Sequence, residues 1–140
     1  MSNLAALNEP IPSASRWSIW TGRTLSGLVI LFLVMDAGMK IAALPIVTES
    51  AVMIGWTADP GFWRAMGLLL LAITALYAWP RTAVLGAILL TGYLGGAVAT
   101  HLRMSDPLFS HTLFGVYLGI ALWGGLWLRD PRVRNLLPIG

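Results

Sequence analysis

The sequence contains no cysteine. Disulfide exchange, a thiolate nucleophile and thiolate metal ligation are thereby excluded within this chain, so any redox role must borrow its chemistry. Charge is almost as scarce: 11% of the 140 residues are Asp, Glu, Lys or Arg, against about 25% in an ordinary soluble domain. A hydrophobic fraction of 57% and a mean hydropathy of +0.77 complete the exclusion of a soluble fold. The net charge of +3 does not indicate nucleic acid, because the basic residues flank apolar runs and form no polar face. No internal repeat or low-complexity tract is evident. Duplicated halves and broken helices, the marks of a transporter, are therefore missing.

The first 21 residues, "MSNLAALNEPIPSASRWSIWT", lack the positive start and small-residue cleavage site of a secretory signal. They are expected to form a flexible N-terminal tail, with Arg16, Trp17 and Trp20 meeting the membrane surface.

What the chain does have is four apolar runs: Gly22 to Leu44, Phe62 to Trp79, Thr82 to Leu102 and Thr112 to Leu128. Each is close to the roughly 20 residues that carry an α-helix across a hydrocarbon core of about 30 Å. Backbone polar groups in lipid must be satisfied within the segment, and four continuously apolar runs are too few for a barrel of alternating strands. The expected fold is all-α, an integral membrane antiparallel four-helix bundle spanning residues 22–138 as one domain in a lipid bilayer. "LPIV", "WPRT" and "SDP" separate the runs, and "WPRT" predicts a tight hairpin between the second and third.

Arg16, Arg23, Arg81, Arg129, Arg132 and Arg134 fall on one side of such a bundle, with Lys40, Arg64 and Arg103 on the other. This bias places both termini in the cytoplasm and the connectors Pro45 to Gly61 and Arg103 to His111 on the outer face. Trp56 and Trp63 then fit an outer aromatic belt, and "LRDPRVR" a cytoplasmic stop-transfer cluster open to lipid headgroups. Membrane helices associate by close backbone approach, so Gly22 with Ser26, Gly38 with Ala42, Gly92 with Gly96, and Gly115 with Gly119, Ala121 and Gly125 predict the packing faces. The same pairs can equally mark a homo-oligomer or a protein partner in a membrane complex.

The titratable groups gather at one depth. Asp36 and Lys40 are spaced to pair on one face of the first helix, near its outer end. His101 ends the third helix and His111 precedes the fourth, with Arg103 and Asp106 in the connector between them. His101 lies eight residues after Tyr93, and His111 four before Gly115, so both imidazoles are expected to look inward. Asp36, Lys40, Tyr93, His101, Arg103, Asp106 and His111 are thus the candidate ligand-binding residues. Bland roles remain open for each: a structural ion pair, interfacial histidines, and turn chemistry at Asp106.

"HLRMSDPLFSHTLFGVYLGIALWGGLWLRDPRVRNLLP", preceded by "GAVAT" and by "MDAGMK" in the first run, resembles the DoxX-like family of small four-helix bacterial membrane proteins. Asp36, Lys40, His101, Arg103 and Asp106 match polar residues that recur in that family. The resemblance implies the bacterial inner (cytoplasmic) membrane and a redox accessory role, with a quinone as possible cofactor; it attaches no catalytic role to any residue. The alternatives are a non-enzymatic assembly factor or structural subunit, and a metal site built from the histidines with Asp36 or Asp106. No helical His pair supports the latter, so no metal ligands are assigned.

Overall fold

The computed structural model describes residues 15–137. Residues 1–14, most of the expected tail, lie outside them. The chain forms α1 (Arg16–Ile41), α2 (Pro45–Met53), α3 (Pro60–Ala78), α4 (Ala83–Arg103), a π-helical turn at Leu108–Thr112, α5 (Phe114–Arg129) and α6 (Pro131–Leu136), with no strand among the described residues. Four helical stretches are long and apolar enough to cross a membrane: α1, α3, α4, and the π-turn continued by α5. The protein is a multi-pass integral membrane protein.

Two expectations are corrected by these boundaries. Arg16 to Thr21 belong to α1 and not to the tail; hydropathy locates where lipid begins, whereas a helix continues beyond that edge until its capping geometry changes. The connector after α1 also contains a helix, α2, started by Pro45 at its first position, where the missing N–H is no loss.

The ends of α1, α2 and α4 opposite the chain termini, here the loop side, share one device. At Ala43, Gly55 and Ser105 the backbone enters the left-handed region (φ 49°, 76° and 57°). In each case the next N–H donates to a carbonyl five residues back: Leu44 to Met39, Trp56 to Ala51, Asp106 to His101. These Schellman closures satisfy the last carbonyls and turn the chain back over the bundle. At the start of α3, the Asp59 carboxylate accepts from the N–H of Gly61 and Phe62 at 3.2 and 3.0 Å, an ordinary N-cap.

The spanning helices contact one another in a ring, α1 beside α3 and α5, and α4 beside α3 and α5. Glycines decide where each pair closes. A Cβ on Gly22 would lie 2.8 Å from the Gly125 carbonyl, and one on Gly125 would lie 2.6 Å from Ser26 Oγ. That joins α1 to α5 on the side of the termini, as expected. On the same side Gly86 sits directly on the Tyr77 backbone, joining α3 to α4. On the loop side the partners change: a Cβ on Gly67 would lie 2.8 Å from the Ala37 carbonyl, and one on Gly115 would lie 2.8 and 3.1 Å from Val98 Cγ2 and the Leu94 carbonyl. So α1 pairs with α3 there, and α4 with α5. Gly38, Gly92, Gly96 and Gly119 were expected on packing faces, yet a Cβ on any of them meets nothing within 4 Å. Four-residue spacing shows only that two residues share a face, and these faces meet no neighbouring helix.

Tyr77, fully buried, cross-links the terminal half. Its hydroxyl donates to the Leu122 carbonyl (2.8 Å) and therefore accepts from Ser26 Oγ (3.0 Å). Tyr77→Phe removes both bonds at nearly constant volume. The expected loss is about 1 kcal/mol, typical of a membrane-buried hydrogen bond, to be read from denaturing-detergent titration beside wild type.

The basic cluster after α5 is occupied by the fold. Arg129 donates to the Tyr77 carbonyl, Arg132 to the Pro80 carbonyl, and Arg134 to the carbonyls of Trp127 and Leu128. Guanidinium groups here satisfy helix C-termini, where cations are favoured. The Arg132 side-chain hydrogen bond, aided by its charge and by Arg129, holds the Asp130 carboxyl below the usual carboxylate range.

Candidate functional site

Because α1 closes on α3 and α4 on α5 at the loop side, the two pairs leave a cavity of about 470 Å³ between them. All four spanning helices line it. Phe32, Leu33, Asp36 and Lys40 come from α1, Trp63 and Met66 from α3; α4 contributes the residues between Gly92 and His101 other than Gly95 and Ala99, and His111, Phe114, Gly115 and Leu118 follow from the last span. Ile54 and Trp56, just after α2, line the cavity's loop-side end.

Of the seven residues singled out from the sequence, Asp36, Lys40, Tyr93, His101 and His111 line this cavity. Lys40 Nζ donates to Asp36 Oδ2 one helical turn away. Their side chains are 13% and 25% exposed, so the charges are paired in a largely desolvated wall and not free in lipid. Tyr93 is half-buried on α4. The His101 and His111 rings lie with centroids 6.2 Å apart and planes tilted by 55°.

Arg103 and Asp106 stand behind the wall. The Schellman turn at Ser105 folds Asp106 back so that its Oδ2 lies 2.6 Å from His101 Nδ1. With Nδ1–H donating to that carboxylate, His101 is oriented and its Nε2 is left for a ligand. The buried Thr112 hydroxyl fixes the connector by donating to the Asp106 carbonyl (3.3 Å). Arg103 Nη2 donates to the Ile54 carbonyl (3.2 Å), latching the segment after α2 across the end of α4.

The polar groups were legible in the sequence; the aromatic walls were not. Phe32 meets Phe114 edge-on with ring centroids 5.2 Å apart. Phe32 precedes Asp36 by one turn and Phe114 follows His111 by three residues, which is the signal that could have found them. Trp63, expected in an outer belt, is turned inward and 9% exposed, its Nε1 donating to the Thr57 carbonyl at 2.7 Å. It packs with Trp56 and Phe62 over the loop-side end. Among the described residues, no three His, Asp or Glu side chains converge as a metal would require.

The arrangement combines flat apolar walls with two imidazoles, a phenol and an ion pair at one end. Such a site suits a ligand with a planar, hydrogen-bonding head and an apolar remainder. Against known proteins, a family model described as "DoxX-like family" matches residues 24–125. No curated protein and no solved structure matches the chain.

Proposed function

This chain belongs to the DoxX-like family, and on that premise we propose that it binds a quinone-type amphiphile in the loop-side cavity as a redox-associated subunit of a bacterial cytoplasmic membrane. The carrying observation is that Phe32, Phe114 and Trp63 line the same cavity as His101, His111, Tyr93 and the Asp36–Lys40 pair. Aromatic faces accept a planar ring, while imidazole and phenol groups bond its carbonyl or hydroxyl oxygens. A bound quinone would supply reversible electron uptake, for which this cysteine-free chain offers no thiol couple of its own.

The side chains have the remaining tasks. The Asp106–His101 bond holds one imidazole in a defined tautomer, ready to accept a proton at Nε2 from a hydroxyl or, once protonated, to donate to a carbonyl. Lys40, anchored by Asp36, holds positive charge where a head group gains electron density. The six arginines on the side of the termini favour a cytoplasmic location for that side, which puts the cavity near the outer face.

Titration of the purified protein in lipid nanodiscs with a membrane quinone tests this. Wild type binds, and His101→Ala and Asp36→Asn each weaken affinity by about tenfold or more, roughly 1.4 kcal/mol. Unchanged affinity in both variants removes these residues from the role.

A further inference from the structure

Resting on the reading of the cavity as an amphiphile site, we infer that its ligand arrives sideways from the bilayer, through the seam between α3 and α4 at Gly92 and Gly96, and keeps an apolar chain lying in that seam. The hairpin is tight at its base, where Gly86 sits on Tyr77. It parts toward the loop side, where α3 turns to α1 through Gly67 and α4 turns to α5 through Gly115. At about 100° per residue, Gly96 falls on the side of α4 away from Leu94 and Val98, which face α5. Met66 and Trp63 of α3 line the same cavity as Gly92 and Gly96, yet a Cβ on either glycine finds no atom within 4 Å. No side chain covers the cavity wall at these two positions.

Two further observations favour this route over one from water. The loop-side end is partly roofed by Trp56 packed on Phe62 and Trp63, and by the Arg103 bond to the Ile54 carbonyl. Beneath the glycines, toward the bilayer centre, Leu89 and Leu85 continue along the same side of α4 and are 41% and 50% exposed. An apolar chain leaving the cavity through the seam would run over them, its head group held at the polar end. The ligand class is accordingly a lipid-borne molecule with a long apolar chain, not a water-soluble metabolite.

The test uses full-length protein in nanodiscs with two probes of one head group, an isoprenoid-tailed benzoquinone and its tail-less analogue. Gly96→Leu, which fills the seam, weakens the tailed probe by about tenfold and leaves the tail-less one within about twofold. Gly95→Leu, at an exposed α4 position outside the cavity lining where a Cβ also meets nothing, changes neither. Equal weakening of both probes by Gly96→Leu, or of neither, overturns the lateral route. A second arm needs no quinone, because the chain has no cysteine of its own. Ala97→Cys on the cavity wall reacts with a bilayer-partitioned maleimide, and adding Gly96→Leu slows that reaction about tenfold while leaving labelling by a water-soluble maleimide slow. A labelling rate indifferent to Gly96→Leu sinks the seam. Gated labelling in a protein that binds neither quinone upholds the seam and discards only the quinone head group.

Discussion

Gly86→Ala is expected to disrupt the α3–α4 hairpin more severely than any other single methyl group added to this chain. An alanine Cβ there collides with the main chain of Tyr77 and lies 2.8 Å from the Leu76 carbonyl carbon. Backbone cannot rotate aside as a flexible side chain can. Nor can the helices slide apart, since only residues 79–82 join them and Thr82 Oγ1 ties the turn to the Leu76 carbonyl at 2.8 Å. Overpacking a dense interior costs about 1–3 kcal/mol, and occasionally more; this site belongs at or above the upper end because both colliding partners are main chain. Tyr77 would carry the displacement to its bonds with Ser26 and Leu122. Thermal and denaturing-detergent unfolding of the purified variant reads the loss. Gly92→Ala is the control, because its Cβ enters open space. A Gly86→Ala protein as stable as wild type would mean that the two helices do not approach as described.

The second large effect concerns Asp36 and Lys40. Asp36→Leu strips the partner from an ammonium group whose side chain is 13% exposed. Breaking a fully buried pair by removing one partner costs about 3–5 kcal/mol. Here Lys40 lies in the last turn of α1, close enough to the membrane surface for partial relief by snorkelling, so the expected loss is about 2–3 kcal/mol. Adding Lys40→Met removes the stranded charge at similar volume and is expected to restore most of the stability. Ligand affinity separates the roles: if the pair holds the head group, the stable double variant still fails to bind it. A double variant that is stable and binds normally would reduce the pair to a structural ion pair. A tolerated Asp36→Leu single variant would show that Lys40 reaches water unaided.

Four spans, their rough limits, the hairpin at "WPRT" and the gathering of titratable side chains at one end were all legible in the sequence. Each depends on local properties: hydropathy along the chain set against bilayer thickness, proline at turns, and the rise per residue of an α-helix. The Asp36–Lys40 pair was legible for the same reason, since i,i+4 spacing lies within a single helix. The rotation of each helix about its axis was not. In water an apolar stripe marks the buried face, but here lipid and protein interior are equally apolar, so hydropathy cannot tell Gly86, pressed on Tyr77, from Gly92, which borders a gap. The same ambiguity put Trp63 in a surface belt, though it walls the cavity. It also left Arg103 and Asp106 undistinguished from the residues they support. The chain by itself determined how many times it crosses the membrane and which polar groups share its loop-side end. Only tertiary packing decided which glycines close an interface and which leave a wall open, because that depends on where neighbouring helices stand and not on any property of the helix alone.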